Sequence, residues 1–269
     1  MKIGFVQINC EFGEKEKNLA KVIRLFQPHR ADLLVLPELF SSGYVFTSKS
    51  ELMELAESIP NGYTTTALAK LAREKNVHIV AGVAERHNGN IYNSAILVGP
   101  NGYLGSYRKA HLFDRELQWF TPGDQPFRIF DLGQARIGIM ICFDWIFPEV
   151  ARDLALKGAD IICHPSNLIL PYCQKAMITR SIENAVYTIT ANRIGTEQRG
   201  EVILSFTGES QIVDPRGNIL AKASDQEEIA IVNINPLKAR NKNFTEHNHL
   251  FRDRRTDLYQ LDRKSPRRE

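Results

Sequence analysis

Arg136-Ile137-Gly138-Ile139-Met140-Ile141-Cys142-Phe143-Asp144-Trp145-Ile146-Phe147-Pro148-Glu149 is the stretch that decides the fold. Its first half is apolar and rich in isoleucine, the pattern of a buried strand. The run ends on a thiol. Pro148 follows where a helix can begin, because the first helical turn has no use for its missing N–H. Cys142 is therefore expected on a sharp strand-to-helix turn. In open α/β sheets, ligands bind at the carboxyl ends of strands. A thiol there is either a nucleophile or a buried structural cysteine, since free cysteine is among the most buried residue types.

Toward the carboxyl terminus, a helix is expected over Pro148–Lys157, stopped by Gly158. A strand over Ala159–His164 ends in Pro165-Ser166-Asn167. A helix over 173–185 and a strand over Val186–Ala191 lead to Asn192-Arg193-Ile194-Gly195. Ser210–Val213 and Asn218–Leu220 flank a turn at Asp214-Pro215-Arg216-Gly217. Ile229–Ile234 is the last strand, a short helix covers 236–240, and a tail begins near Phe244.

Toward the amino terminus, His111–Gly123 reads as a loop containing Glu116. Tyr103–Arg108, Ile91–Val98 and Val77–Val83 read as strands, the last two joined by the hairpin signal His87-Asn88-Gly89-Asn90. Residues 63–75 and 51–57 read as helices. Ala31–Leu36 is a strand closed by Pro37. Residues 15–27 place Leu19, Val22, Ile23 and Phe26 on one helical face, after a strand at Lys2–Ile8. This order of strand, helix and strand, then hairpin-linked strands, predicts a mixed sheet with helices on one face. No internal repeat or linker divides the chain, so one domain is expected over 1–269, with its tail from about 244.

Composition bounds the function. The 269 residues are 43% hydrophobic and 24% charged, which places them among soluble globular chains. The net charge of +3 is too small to imply a nucleic-acid partner. Residues 252–269 carry seven basic against four acidic residues, the signature of a solvated tail. No apolar run approaches the roughly 20 residues needed to span a bilayer, and the strand-like opening at Lys2–Ile8 leads us to expect no signal peptide. Cys10, Cys142, Cys163 and Cys173 form no C-x-x-C pair and read as reduced thiols of a cytoplasmic protein. The seven histidines form no H-E-x-x-H, and His247-Asn248-His249 lies in a polar segment, so no metal site is expected. Gly208-Glu209-Ser210 is not a serine-hydrolase elbow, and no phosphate-cradling glycine loop is present.

Three groups remain at three strand ends: Glu38, Lys109 and Cys142. Taken alone, Glu38 reads better as a surface loop acid. Together they supply the parts of covalent acyl transfer. A thiol with a pKa of about 8.5 is only slightly ionised at neutral pH. A neighbouring ammonium favours the thiolate. A carboxylate can take the thiol proton and later activate water. The same ammonium can stabilise an oxyanion.

Leu36-Pro37-Glu38-Leu39-Phe40, Tyr107-Arg108-Lys109-Ala110-His111-Leu112-Phe113 and Ile141-Cys142-Phe143-Asp144 resemble, in order, the three signature blocks of the nitrilase superfamily of carbon–nitrogen hydrolases. Pro122-Gly123, Phe147-Pro148-Glu149, His164-Pro165-Ser166-Asn167, Ala191-Asn192-Arg193 and Asp214-Pro215-Arg216-Gly217 extend the resemblance over roughly residues 2–235. It implies an αββα sandwich paired into a homodimer or larger assembly. It implies Glu38 as general base, Lys109 as oxyanion stabiliser and Cys142 as nucleophile. Glu116 matches a second glutamate beside the site, there to orient Lys109 or position substrate, or else only to pair with Lys109. The Phe143 N–H would be a second oxyanion donor, since it follows the nucleophile at a helix start. The implied reaction is hydrolysis of a small-molecule amide through a thioester, with no metal or organic cofactor. Phe143-Asp144 departs from the Trp-Glu of most true nitrilases and leans toward the small amidases. A nitrile and an N-carbamoyl amine are the alternative substrates. The second is kept open by Asn192-Arg193-Ile194-Gly195-Thr196-Glu197, which resembles a segment of N-carbamoylputrescine amidases. A Cys–His thiol protease is the rival enzyme class, but His111 belongs to the lysine block.

Overall fold

The computed structural model describes residues 1–259. The half of the basic tail beyond 259 lies outside them. In chain order the elements are β1 (Lys2–Gln7), α1 (Lys15–Phe26), β2 (Leu33–Val35), α2 (Lys49–Leu55), α3 (Tyr63–Lys75), β3 (His78–His87), β4 (Asn90–Gly99), β5 (Gly102–Arg108), α4 (Glu116–Trp119), β6 (Ile129–Asp131) and β7 (Arg136–Ile139). A 3-10 turn at Cys142–Ile146 leads to α5 (Pro148–Leu156), β8 (Ile161–Pro165), α6 (Cys173–Asn184) and β9 (Tyr187–Ala191). The chain continues through β10 (Thr196–Arg199), β11 (Val202–Ser205), β12 (Gln211–Val213), β13 (Ile219–Lys222), β14 (Glu228–Asn233) and α7 (Leu237–Arg240).

Two six-stranded sheets carry the fold among the described residues, in the orders β14-β1-β2-β3-β4-β5 and β13-β12-β9-β8-β7-β6. Each has three parallel strands in chain order at its centre: β1, β2 and β3 in one, β7, β8 and β9 in the other. An antiparallel strand flanks each trio on one side, and two flank it on the other. The same pattern of strand directions is thus built twice, with β14 joining the first trio from the far end of the chain where β6 directly precedes the second. Parallel neighbours need a crossover. Here α1 and the α2–α3 segment, then α5 and α6, supply it.

The sheets face each other. Ile3, Phe5, Leu33 and Val35 from one meet Ile137, Ile161 and Ile189 from the other in a shared core. The outer face of the first sheet, with Val6, Leu34 and Ile79, packs under Leu19 and Val22 of α1 and Leu68 of α3. Val150 and Leu154 of α5 and Met177 of α6 cover the second sheet. Gly138 lets α5 settle close, since a Cβ there would lie 2.9 Å from a Leu154 methyl. The result is the expected four-layer αββα sandwich.

Several boundaries differ from expectation. The loop over 111–123 contains the one-turn helix α4. The expected helix at 51–57 starts earlier, because the Ser48 hydroxyl caps it by accepting from the Glu51 N–H at 3.2 Å. The strand expected at Val77–Val83 continues to His87. The β10–β11 hairpin was not expected at all.

Candidate active site

Glu38, Lys109 and Cys142 converge, each at the end of a strand as expected. Glu38 lies just past β2, where the Leu36 N–H donates to the Val80 carbonyl and the Gly82 N–H to the Pro37 carbonyl. Gly82 is required there: a Cβ on it would collide with the Glu38 main chain. Lys109 follows β5, and its backbone is pinned by N–H donation to the Asn93 carbonyl at 2.8 Å. Cys142 opens the 3-10 turn after β7, with φ at +40°. A non-glycine residue in that region costs on the order of 1–3 kcal/mol.

Two buried groups hold the strained turn. Asp144 is fully buried and reaches back to accept from the Ile141 N–H at 2.9 Å and from the Tyr107 hydroxyl at 2.7 Å. Its other oxygen accepts from the His111 N–H at 3.2 Å and lies 2.8 Å from His111 Nδ1. So His111 braces the turn rather than serving as the base of a thiol protease. His164 Nε2 lies 2.9 Å from the Cys142 carbonyl, and its Nδ1 lies 3.1 Å from the Thr190 hydroxyl. This network assigns the proton to Nε2. Hydrogen bonds to charged groups contribute about 1.5–3 kcal/mol each, enough to offset the backbone strain.

Lys109 sits between two carboxyl groups. Its Nζ donates to Glu38 Oε1 and Glu116 Oε1, both at 2.7 Å, with no solvent exposure of the lysine side chain. An ammonium has three N–H donors. Two are spent, and one remains. Glu38 Oε1 also accepts from Asn93 Nδ2 at 2.7 Å, whereas Glu38 Oε2 has no partner among the described residues. Glu116 receives the Tyr44 hydroxyl at 2.7 Å on Oε1 and the Phe113 N–H at 3.2 Å on Oε2. Asn93 and Tyr44 were not anticipated. Asn93 carried a signal, a polar residue inside the apolar strand run 91–98. Phe143 is the second residue of the 3-10 turn, where an N–H has no acceptor within the helix.

Burial holds the Glu38 pKa above the usual carboxylate value, against the pull of Lys109. Burial also opposes the charge of Lys109, but Glu116 and Glu38 outweigh it and raise its pKa. The setting of Cys142 favours the neutral thiol, in keeping with a carboxylate that takes its proton. Burial lifts this thiol well above its ordinary value, the Glu38 charge adds to that, and the Lys109 ammonium only partly opposes them. A base must therefore take the proton as the sulfur attacks. Cys10 is pushed up to about 11 by burial, and Cys163 and Cys173 are raised by the same cause. These three are inert structural thiols by environment.

Beside Cys142 lies a cavity of about 180 Å³, walled by Phe113, Phe143, Trp145 and Leu170 among others. Two expected pocket segments, 112–121 and 167–173, contribute to it, whereas none of 41–49 does; Tyr44 and Phe46 line a neighbouring pocket instead.

The chain belongs to the carbon–nitrogen hydrolase family of the nitrilase superfamily, whose sequence profile matches residues 2–242. It is 49% identical to a nitrilase of Pyrococcus abyssi over 96% of this chain and 99% of that one. It is 34% identical to an (R)-stereoselective amidase of a Pseudomonas species, over 96% and 93% of the two chains. Among solved structures, a carbon–nitrogen hydrolase of Helicobacter pylori superposes with a TM-score of 0.85 at 28% identity, covering 96% of each chain.

Proposed function

We propose that the protein hydrolyses a small aliphatic amide to its acid and ammonia through a Cys142 thioester. The observation that carries this reading is the division of labour within Glu38. One oxygen is fixed by Lys109 and Asn93, and the other is unpartnered in a buried setting whose charge is felt at the thiol. Glu38 Oε2 takes the thiol proton as Sγ attacks the carbonyl carbon. The free N–H of Lys109 and the Phe143 N–H stabilise the oxyanion. The C–N bond breaks as Glu38 returns the proton to the leaving nitrogen, and ammonia departs. Water then loses a proton to Glu38 and attacks the thioester. The acid leaves, and Glu38 gives the proton back to the sulfur. Glu116, held by Tyr44 and the Phe113 N–H, fixes Lys109. The cavity of about 180 Å³ beside Cys142 supports a small acyl group.

A nitrile is the second reading, favoured by the 49% identity to a protein named nitrilase. It passes through a thioimidate and needs one more proton on nitrogen and one more water. An amide enters a step later. Ammonia release from propionamide and propionitrile compares the two. A higher kcat/KM for the amide is expected, and an excess for the nitrile replaces the first reading by the second. Cys142→Ala should abolish turnover of both. Iodoacetamide should inactivate with its label on Cys142; a label on Cys10, Cys163 or Cys173 with Cys142 free would sink the assignment.

A further inference from the structure

We propose that Asn167 is a specificity-determining residue, which hydrogen-bonds a second, uncharged polar group on the substrate's acyl chain, close to the scissile carbon. The inference rests on the hydrolase reading above and goes beyond it. Asn167 is 3% exposed and follows the carboxyl end of β8. Asn167 and Cys142 line the same cavity, so its side chain springs from a point near the sulfur. The residue lines the cavity, whose other walls are aliphatic and aromatic and carry no charged side chain.

The carboxamide itself is unpartnered. Neither Oδ1 nor Nδ2 of Asn167 has a hydrogen-bond partner among the described residues. A buried polar group left this way is destabilising and asks for an explanation. Packing does not supply one, because the adjacent backbone is fully engaged. The Leu168 N–H donates to Asn192 Oδ1 at 2.8 Å, and the Thr207 N–H donates to the Leu168 carbonyl at 2.9 Å. Asn192 also donates to the Gly208 carbonyl at 2.7 Å. One asparagine is thus spent on holding the loop, and the other is held in place with its own donors and acceptor free. With no partner to break, that carboxamide turns toward an arriving group at no hydrogen-bond cost.

Chemistry narrows the ligand. The scissile carbonyl oxygen must go to Lys109 and the Phe143 N–H, so it cannot also satisfy Asn167. A plain alkyl chain would leave the carboxamide unpaired. A charged group would find no counter-charge in these walls. What fits is a neutral group such as a second carboxamide, a nitrile or a hydroxyl. A site built to hydrogen-bond such a group rejects analogues that lack it far more strongly than a hydrophobic wall rejects a wrong shape.

The test uses shape-matched substrates and the full-length enzyme. As amides they are succinamide and 4-methylpentanamide, in which isopropyl replaces the distal carboxamide. As nitriles they are succinonitrile and 4-pentynenitrile. Wild type, Asn167→Leu and Asn167→Ala are compared by ammonia release. In the variants, the ratio of kcat/KM for the polar compound to that for its apolar match should fall at least tenfold, for whichever pair the enzyme accepts. Asn167→Leu should melt no lower than wild type, since no internal hydrogen bond is lost. An unmoved ratio overturns the assignment, and so does a clear loss of melting temperature in both variants, because the carboxamide would then be structural. Wild type inactive on all four compounds would fail the hydrolase reading and this one with it, whereas active wild type with an unmoved ratio overturns Asn167 alone.

Discussion

Lys109 is the residue on which the buried charges depend. It separates two carboxyl groups, each 2.7 Å from its Nζ. Removing it deletes the oxyanion donor of the proposed mechanism and leaves Glu38 and Glu116 facing each other without a cation. Lys109→Ala should lower kcat by ~10²–10³-fold or more, as loss of such a donor does. Its melting temperature should also fall, because an uncompensated buried charge is strongly destabilising. Lys109→Arg should not rescue it, since a planar fork cannot replace a compact ammonium between two oxygens. Steady-state kinetics with thermal melts decides the matter, and a near-normal kcat in Lys109→Ala would remove Lys109 from the mechanism. That Glu38, Lys109 and Cys142 come together was legible in the sequence because each stands where an apolar run stops. The partners of Glu38 and Glu116 were not. Asn93 is 55 residues from Glu38, and Tyr44 is 72 from Glu116; such pairings exist only once the strands are stacked. The balance of effects on the Cys142 thiol was hidden for a related reason. The ammonium was visible in the sequence, but the depth of burial that outweighs it was not.

Among the elements, the nucleophile turn is tied to β8 through His164. Burial depresses this histidine's pKa from 6.5 to about 4, with Lys109 pushing the same way and the Cys142 carbonyl and Asp144 opposing. Above pH 6.5 the ring is neutral in both folded and unfolded chains. As the pH falls through 6.5, the unfolded chain takes up a proton that the folded one refuses. Stability is therefore lost between pH 6.5 and about 4, by roughly 3 kcal/mol from this group. His164→Gln keeps a donor for the Cys142 carbonyl but does not titrate. Its melting temperature should drop less than that of wild type between pH 7 and pH 4.5. An equal drop would show that His164 does not set the acid limit. Elements with strong periodicity were read from sequence with small errors at their ends. Those missed are of two kinds. The helix α4 has four residues, too few for any helical period to show. The β10–β11 hairpin is half exposed: β10 is polar throughout, with Thr196, Glu197, Gln198 and Arg199, and the Val202-Ile203-Leu204 run of β11 is too short to stand out without an apolar partner strand.

At the scale of the whole molecule, the αββα sandwich follows from strands that are apolar on both faces, since a sheet so built must be covered twice. Oligomeric state is less directly written. The dimer expected across helices 148–157 and 173–185 drew on their apolar faces. Yet Val150, Leu154 and Met177 are used against the protein's own second sheet. What those helices and their flanks leave exposed is Leu156, Ile146 and Tyr172, so the expectation now rests on these and on family resemblance. Sedimentation at micromolar protein should still give at least twice the chain mass of 30.5 kDa. A value near 30 kDa would contradict it. Among the described residues, no helix is long and apolar enough to cross a membrane.

The doubled strand pattern has a consequence for what a half-finished molecule can do. Glu38 and Lys109 are delivered by the first sheet, and Cys142 by the second. Under the proposed mechanism, a chain with only its first sheet formed holds the base and the cation but nothing to attack with. One with only its second holds a thiol that no base can strip. Under that mechanism, catalytic competence appears only when the two sheets close on their shared core. Turnover is a built-in reporter that the two halves have met in register, and a nascent or partly unfolded chain is chemically silent.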